Sequence, residues 1–355
     1  MAKINNKEED IREELVKKIA KDPNNEDNYL ELGKLYIIHQ CYQDALDVYN
    51  NLLKINPSNS QALINAGSLY FYFQNIDKSI DYYTRASEIE TKNFSIYLNL
   101  GNAYAEQRNF KSAMQNYVKA LELEPENSTL YNAIGLLYQD NKDYISANIY
   151  YDKAIALDPK EPENYISKAS VLMSMHLYND AILALKKAMS ADPTNAKACL
   201  CIANSYSSTK DFANAEKYFQ ECYTISPKFY QAYVCHGISF SDAGNIDMAL
   251  SKYNEAIAVN PNMPNAYILI ANIYVEQGKL AEALEYYKKA SELNPQDTKT
   301  YTFIGNTYFM MENLEQAIHT YRTALSIDNT NTENKLVYME IVQDYIKRKE
   351  AGMKV

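Results

Sequence analysis

At 355 residues the chain is at or beyond the size that one compact core usually serves, yet 47% apolar and 23% charged residues make an ordinary soluble composition. A net charge of −10 speaks against a duplex-binding surface, and no run of 18 apolar residues offers a membrane span. The five cysteines (Cys41, Cys199, Cys201, Cys222 and Cys235) follow no even framework and read as reduced thiols, and the opening residues carry no secretory leader pattern, so the expected location is cytoplasmic.

In chain order, residues 1–25 read as a polar tail followed by a capping helix. Its stretch "EEDIREELVKKIAKDP" carries Ile11, Leu15 and Ile19 on one face, and Pro23 lies 34 places before Pro57. That spacing marks the second helix of an incomplete unit. From Glu26 the chain then advances in strict steps of 34. Nine units follow, at 26–59, 60–93, 94–127, 128–161, 162–195, 196–229, 230–263, 264–297 and 298–331, without an insertion or deletion. Extra loop residues cost little, so an unbroken register points to regular stacking as the selected property. Residues 332–355 continue the frame with Leu336, Met339, Val342, Tyr345 and Ile346, predicting a C-terminal capping helix and a polar tail.

Each unit predicts two helices. In the third, Ile96, Tyr97, Leu100, Ala103 and Tyr104 form one apolar stripe, and Phe110, Ala113, Met114, Tyr117, Ala120 and Leu121 a second. Period-two alternation is absent, so the expected class is all-α. The eighth place of the frame holds Gly33, Gly67, Gly101, Gly135, Gly237 and Gly305, with Ala169, Ala203 and Ala271 elsewhere. A mid-helix glycine costs about 1 kcal/mol against alanine. Its recurrence predicts a close approach of two helix backbones, with Ala45, Ala113 and their equivalents opposite. Three recurring tyrosine places surround this contact and account for 21 of the 33 tyrosines as packing. Pro57, Pro125, Pro159, Pro193, Pro227, Pro261 and Pro295 close the second helices.

An aromatic, a Leu or Ile, a Gly or Ala, a Tyr, an Ala, an aromatic, an Ala and a Pro thus recur at fixed offsets over 26–331. The constellation resembles the tetratricopeptide repeat family. Departures are few: Thr91 and Asn329 for the proline, Lys168 and His236 for the apolar residue before the small site, Leu52 and Cys222 for an alanine. The resemblance implies a right-handed α-α superhelix whose concave groove is lined by the first helices. Chaperone-tail clamps of the family grip a C-terminal carboxylate with lysines, asparagines and an arginine on three successive units. The places for the leading lysine are Leu30, Ile64, Leu98, Asn132, Ile166, Leu200, Val234, Ile268 and Thr302. None is basic, so that clamp is not expected.

Nothing in the sequence assembles a catalytic, cofactor or metal constellation. The four histidines (His39, His176, His236 and His319) take different places in their units. His236 reads as a satisfied, half-buried side chain. Cys199 and Cys201 lie about 200° apart around their helix, which disfavours a shared metal. The functional expectation is a non-enzymatic scaffold that holds an extended or helical protein segment in the groove. Its candidate residues are Asn65, Asn99, Asn102, Asn204, Asn272 and Asn306, with Phe71, Phe303 and Phe309 at apolar ends. A carboxamide both donates and accepts, so an asparagine row suits a peptide backbone. It is similar in kind to the groove of the repeat domain of O-linked N-acetylglucosamine transferase. Glu106, Asp140, Asp242 and Glu276 favour a neutral or basic peptide. The alternatives are a self-associating structural protein and a regulatory subunit of an enzyme such as a glycosyltransferase.

Overall fold

The computed structural model describes residues 6–351, so the outermost residues of both expected tails lie outside it. Twenty α-helices fill the described residues, among which there is no strand. They group into two compact units, one ending at Leu177 and the other beginning at Tyr178.

The first unit opens with α1 (Asn6–Lys21). Helix pairs follow: α2 (Glu26–Ile38) with α3 (Tyr42–Ile55), α4 (Ser60–Tyr72) with α5 (Ile76–Ile89), α6 (Phe94–Glu106) with α7 (Phe110–Leu123), and α8 (Ser128–Asp140) with α9 (Tyr144–Leu157). Helix α10 (Pro162–Ser174) packs on α9. In the second unit α11 (Tyr178–Ala191) packs on α12 (Ala196–Ser208), which pairs with α13 (Phe212–Ile225). Then come α14 (Tyr230–Asp242) with α15 (Ile246–Val259), α16 (Pro264–Glu276) with α17 (Leu280–Leu293), α18 (Thr298–Met310) with α19 (Leu314–Ile327), and the terminal α20 (Thr332–Glu350).

The chain's many asparagines have a local cause. Asn59, Asn127 and Asn195 cap first helices by accepting from Ala62, Leu130 and Ala198 N–H, and Asn75, Asn109, Asn245 and Asn313 cap second helices in the same way. Every first helix from α2 to α18 ends in the same turn. Its fifteenth frame place is left-handed, at φ between 57° and 61° for Gln40, Gln74, Arg108, Lys142, His176, Lys210 and Glu312, and at 78° and 73° for Gly244 and Gly278. The next residue's N–H reaches back to the carbonyl five places earlier, as from Asn109 to Tyr104 at 2.9 Å, which completes a Schellman turn. The second helices stop two residues before the prolines. Helices α5 and α19 stop at the same place without one, because Glu90 and Asp328 already leave helical backbone angles.

Packing corrects the expected reason for the glycines. A Cβ at Gly101 would lie 2.3 Å from the Tyr117 ring, at Gly33 2.4 Å from Tyr49, and at Gly135 2.6 Å from Tyr151. The facing group is an aromatic ring from the second helix, not that helix's backbone. These rings (Tyr49, Tyr83, Tyr117, Tyr151, Tyr253, Tyr287 and Tyr321) are at most 3% exposed. Where the ring loses its hydroxyl, as at Phe219, the opposite residue is alanine, Ala203.

Candidate functional site

Within each unit the first helices of successive pairs come into direct contact: α4 with α6, α6 with α8, α8 with α10, and α12 with α14. Polar rungs tie them. Asn132 Nδ2 donates to Asn164 Oδ1 at 3.0 Å, Gln139 Nε2 to Ser170 Oγ at 3.2 Å, Ser207 Oγ to Ser239 Oγ at 2.9 Å, and Thr302 Oγ1 to Asn334 Oδ1 at 3.0 Å. The sequence reading missed these rungs. Their signal is a polar pair about 32 places apart on first helices that otherwise carry apolar contacts.

The candidate asparagines divide between the units. Asn65, Asn99 and Asn102, with Phe71, lie on α4 and α6 of the first, all half-buried. Asn204, Asn272, Asn306, Phe303 and Phe309 lie on α12, α16 and α18 of the second. Three of the asparagines brace the core. The Tyr117 hydroxyl donates to Asn102 Oδ1 at 2.7 Å, the Tyr287 hydroxyl to Asn272 Oδ1 at 2.5 Å, and the Tyr321 hydroxyl to Asn306 Oδ1. Ser68 does the same for Tyr83 at 2.8 Å, and Gln139 for Tyr151 at 2.9 Å. A buried phenol is stabilised by such a partner, so Ser68, Asn102, Asn272 and Asn306 serve a structural role first. Where Leu136 takes this frame place Gln139 serves from three places on, and the Tyr49 hydroxyl is left without such a partner. Opposite Phe219 no hydroxyl asks for a partner, and Asn204 turns its amide to Cys235 Sγ at 3.7 Å. Asn65 Oδ1 accepts from Gln61 at 3.2 Å. Asn99 makes no side-chain hydrogen bond among the described residues.

The bracing has an electrostatic and a geometric consequence. Burial pushes the phenols of Tyr287 and Tyr321 up to about 12, helped by Glu276 and Glu333, so both hydroxyls stay protonated donors. A donating hydroxyl fixes the asparagine carbonyl, which leaves the amide N–H pair of Asn102, Asn272 and Asn306 pointing elsewhere.

Phe71 and Phe303 are half-buried, and Phe303 stacks on Tyr287 with centroids 5.5 Å apart. Phe309 is exposed beside Met310 and Met311. Ile38, Tyr72 and Phe73 are exposed in the first unit. Glu106 and Asp140 line a cleft of about 520 Å³, which Arg108 and Lys142 also enter, so its charge is mixed.

His236 is satisfied, as the sequence indicated, but fully buried at 1% exposure. Its ring lies between Phe219 and Phe240, both with centroids at 4.4 Å. Nδ1 meets the Tyr223 hydroxyl at 2.8 Å and Nε2 meets Glu216 Oε2 at 2.6 Å. Burial holds the imidazole below its ordinary value of 6.5, with Glu216 pulling the other way. A depressed histidine binds its proton more readily when unfolded. The stability it contributes is therefore fully present above about pH 6.5 and lost as pH falls towards the folded value. Denaturant melts at pH 7.5 and 5.5 are expected to show this loss in the unsubstituted chain and a smaller one in His236→Leu. Equal losses would contradict it. The cysteines are free thiols, and the described residues hold no cluster of three or more His, Cys, Asp or Glu spaced for a metal. No helix among them is long and apolar enough to cross a membrane.

Models described as tetratricopeptide repeat match residues 60–93, 94–127, 128–161, 196–229 and 262–330. Yeast Tom70 is similar in structure, with a TM-score of 0.59 and 14% identity, covering 98% of this chain and 93% of that one. MamA (23% identity) and YrrB, described as a TPR protein with an unusual peptide-binding site (21% identity), both have a TM-score of 0.41. They cover 46% and 50% of this chain and 95% and 92% of their own. No curated protein matches the sequence. The likeness to Tom70 is one of fold.

Proposed function

Because the chain belongs to the tetratricopeptide repeat family, we propose that it is a non-enzymatic scaffold that holds an extended segment of a partner protein along its first helices. The observation that carries this reading is the pinned asparagine. With its carbonyl held by a buried tyrosine, the Asn102 amide presents N–H donors in a fixed direction. Asn99 stands one turn earlier on the same helix with no side-chain hydrogen bond, and Asn65 stands on the neighbouring helix, where its amide also faces the Tyr49 hydroxyl. Donors preset at helix spacing suit the backbone carbonyls of an extended peptide, whatever its side chains, and cost little ordering on binding. The expected preference for a neutral or basic segment is weakened by Arg108 and Lys142, which enter the same cleft as Glu106 and Asp140.

The test is a displayed peptide library panned on the full chain. Asn65→Ala, Asn99→Ala and Asn102→Ala together are expected to weaken recovered peptides by at least about tenfold, at roughly 0.5–1.5 kcal/mol per lost bond. Tyr117→Phe frees the Asn102 carbonyl and is expected to weaken them less. Unchanged affinity in the triple variant with intact helicity would remove these asparagines from the site. A second reading, self-association, draws on the exposed Ile38, Tyr72 and Phe73 of the first unit and Phe309, Met310 and Met311 of the second. Light scattering across a dilution series decides it, since a monomer at every concentration excludes it.

A further inference from the structure

Glu216 and His236 break the packing rule of the repeats as a pair. The seventh frame place carries Leu or Ile in six units, and the place equivalent to Glu216 is apolar in Leu46, Ile80, Met114, Ile182, Leu250, Leu284 and Ile318. The other polar pair at these two places is Asn148 and Lys168, whose ammonium is bound to Asp152. At α13–α14 both partners are polar, and Tyr223 joins them. The His236 ring packs between Phe219 and Phe240, yet burying such a polar set in a layer built for aliphatic contacts costs desolvation that an aliphatic pair would not. Local rules broken in concert are where function is sought.

We propose that this cluster is a second binding site, apart from the first-helix asparagines, and that it takes one cationic group: a guanidinium or primary ammonium, as on an arginine or lysine side chain of a partner. A cleft of about 210 Å³ opens here, lined by Phe212, Glu216, His236, Ser239, Phe240 and Asn245. That volume admits the end of one basic side chain and falls short of a drug-sized ligand's 300–1,000 Å³ or so. The Glu216 carboxylate reaches the surface, its side chain 41% exposed, while the His236 imidazole beneath it is 2% exposed. Oε2 accepts from His236 at 2.6 Å and Oε1 from Gln220 Nε2 at 2.9 Å, which fixes the carboxylate and leaves a lone pair on each oxygen. No lysine or arginine among the described residues bridges to it. Lys252 faces the cluster from α15 but is bound to Glu255 at 3.0 Å and lies over the Tyr223 ring. The site therefore holds an oriented negative charge that no cation pairs directly, the Lys252 charge acting on Glu216 only from a distance. Phe212 and Phe240 supply aromatic walls. Ser239 and Phe240 belong to the last turn of α14, whose dipole favours a positive guest.

The test uses the full chain with 15N-labelled histidine and reads the His236 ring nitrogens by NMR. The probes are n-propylguanidinium chloride and neutral n-propylurea, against potassium chloride at equal ionic strength. The guanidinium is expected to give a saturable shift and the urea none. Glu216→Gln, which keeps an oxygen for His236, should weaken the guanidinium response about tenfold, the worth of one charge-assisted pair. Phe240→Leu should weaken it several-fold. The Asn65, Asn99 and Asn102 triple variant should respond like the unsubstituted chain, since the site does not rest on those residues. An equal shift with the urea, no saturable shift with the guanidinium, or an undiminished response in Glu216→Gln would overturn the proposal.

Discussion

Replacing Tyr117 by alanine is expected to lower stability by about 4 kcal/mol, the cost of emptying a large aromatic site in a packed core. The ring is 2% exposed and fills the space above Gly101. Tyr117→Phe keeps the ring and loses only the bond to Asn102, so about 1 kcal/mol is expected. The reciprocal change, Gly101→Leu, forces a side chain into the ring and should cost about 3 kcal/mol. Gly101→Ala is milder, because Ala271 opposite Tyr287 already shows that one methyl can be accommodated. Coupling makes the claim specific. Tyr117→Leu with Gly101→Ala gives the residue types that the fifth repeat carries at these two frame places, Leu185 and Ala169, and a smaller side chain above the new methyl should make the double variant more stable than the sum of its single changes. Chemical denaturation of the four chains reads this directly. Simple additivity would mean that the glycine and the ring do not share one space.

The second large effect is a gain. Gln40, Gln74, Arg108, Lys142, Lys210 and Glu312 sit at positive φ with exposed side chains. Left-handed backbone costs an L-residue roughly 1–2 kcal/mol, and glycine returns about 0.5–1 of that as lost unfolded-state restriction. Changing all six to glycine should stabilise by about 3 kcal/mol, since the turns are far apart and nearly additive. The opposite substitution serves as control. Gly278→Ala, at φ 73° with open space around the new Cβ, should cost about 1 kcal/mol. Thermal melts that fail to rise in the six-fold variant would show that these turns relax without cost.

Much of this architecture was legible in the chain. A strict 34-residue step with helical apolar spacing leaves few alternatives, because each two-helix unit can bury its stripe only against a neighbour. The tyrosine at the twenty-fourth frame place was read as core from its recurrence alone, and it is. The glycine was read as important for the right contact and the wrong partner. Spacing shows that something approaches, whereas which atoms approach depends on the ring's rotamer. The left-handed turn was hinted only by Gly244 and Gly278, since the other seven units hide the same geometry behind ordinary residues.

The candidate site was less legible. Asn102, Asn272 and Asn306 lie on first helices, yet their first bonds go inward to Tyr117, Tyr287 and Tyr321. A carboxamide's type is visible in sequence, but which end of it is free is decided by a hydroxyl 15 residues away. The same holds for Glu216 and His236: the sequence marks His236 as a departure but does not point to Glu216, and the two are joined only when α13 and α14 pack. By itself the sequence determined the period, the helices and which places are small, because these follow from local steric rules repeated in every unit. Only the tertiary structure decided which polar groups satisfy one another and which remain for a partner, because hydrogen bonding is directional and its partners come from different helices.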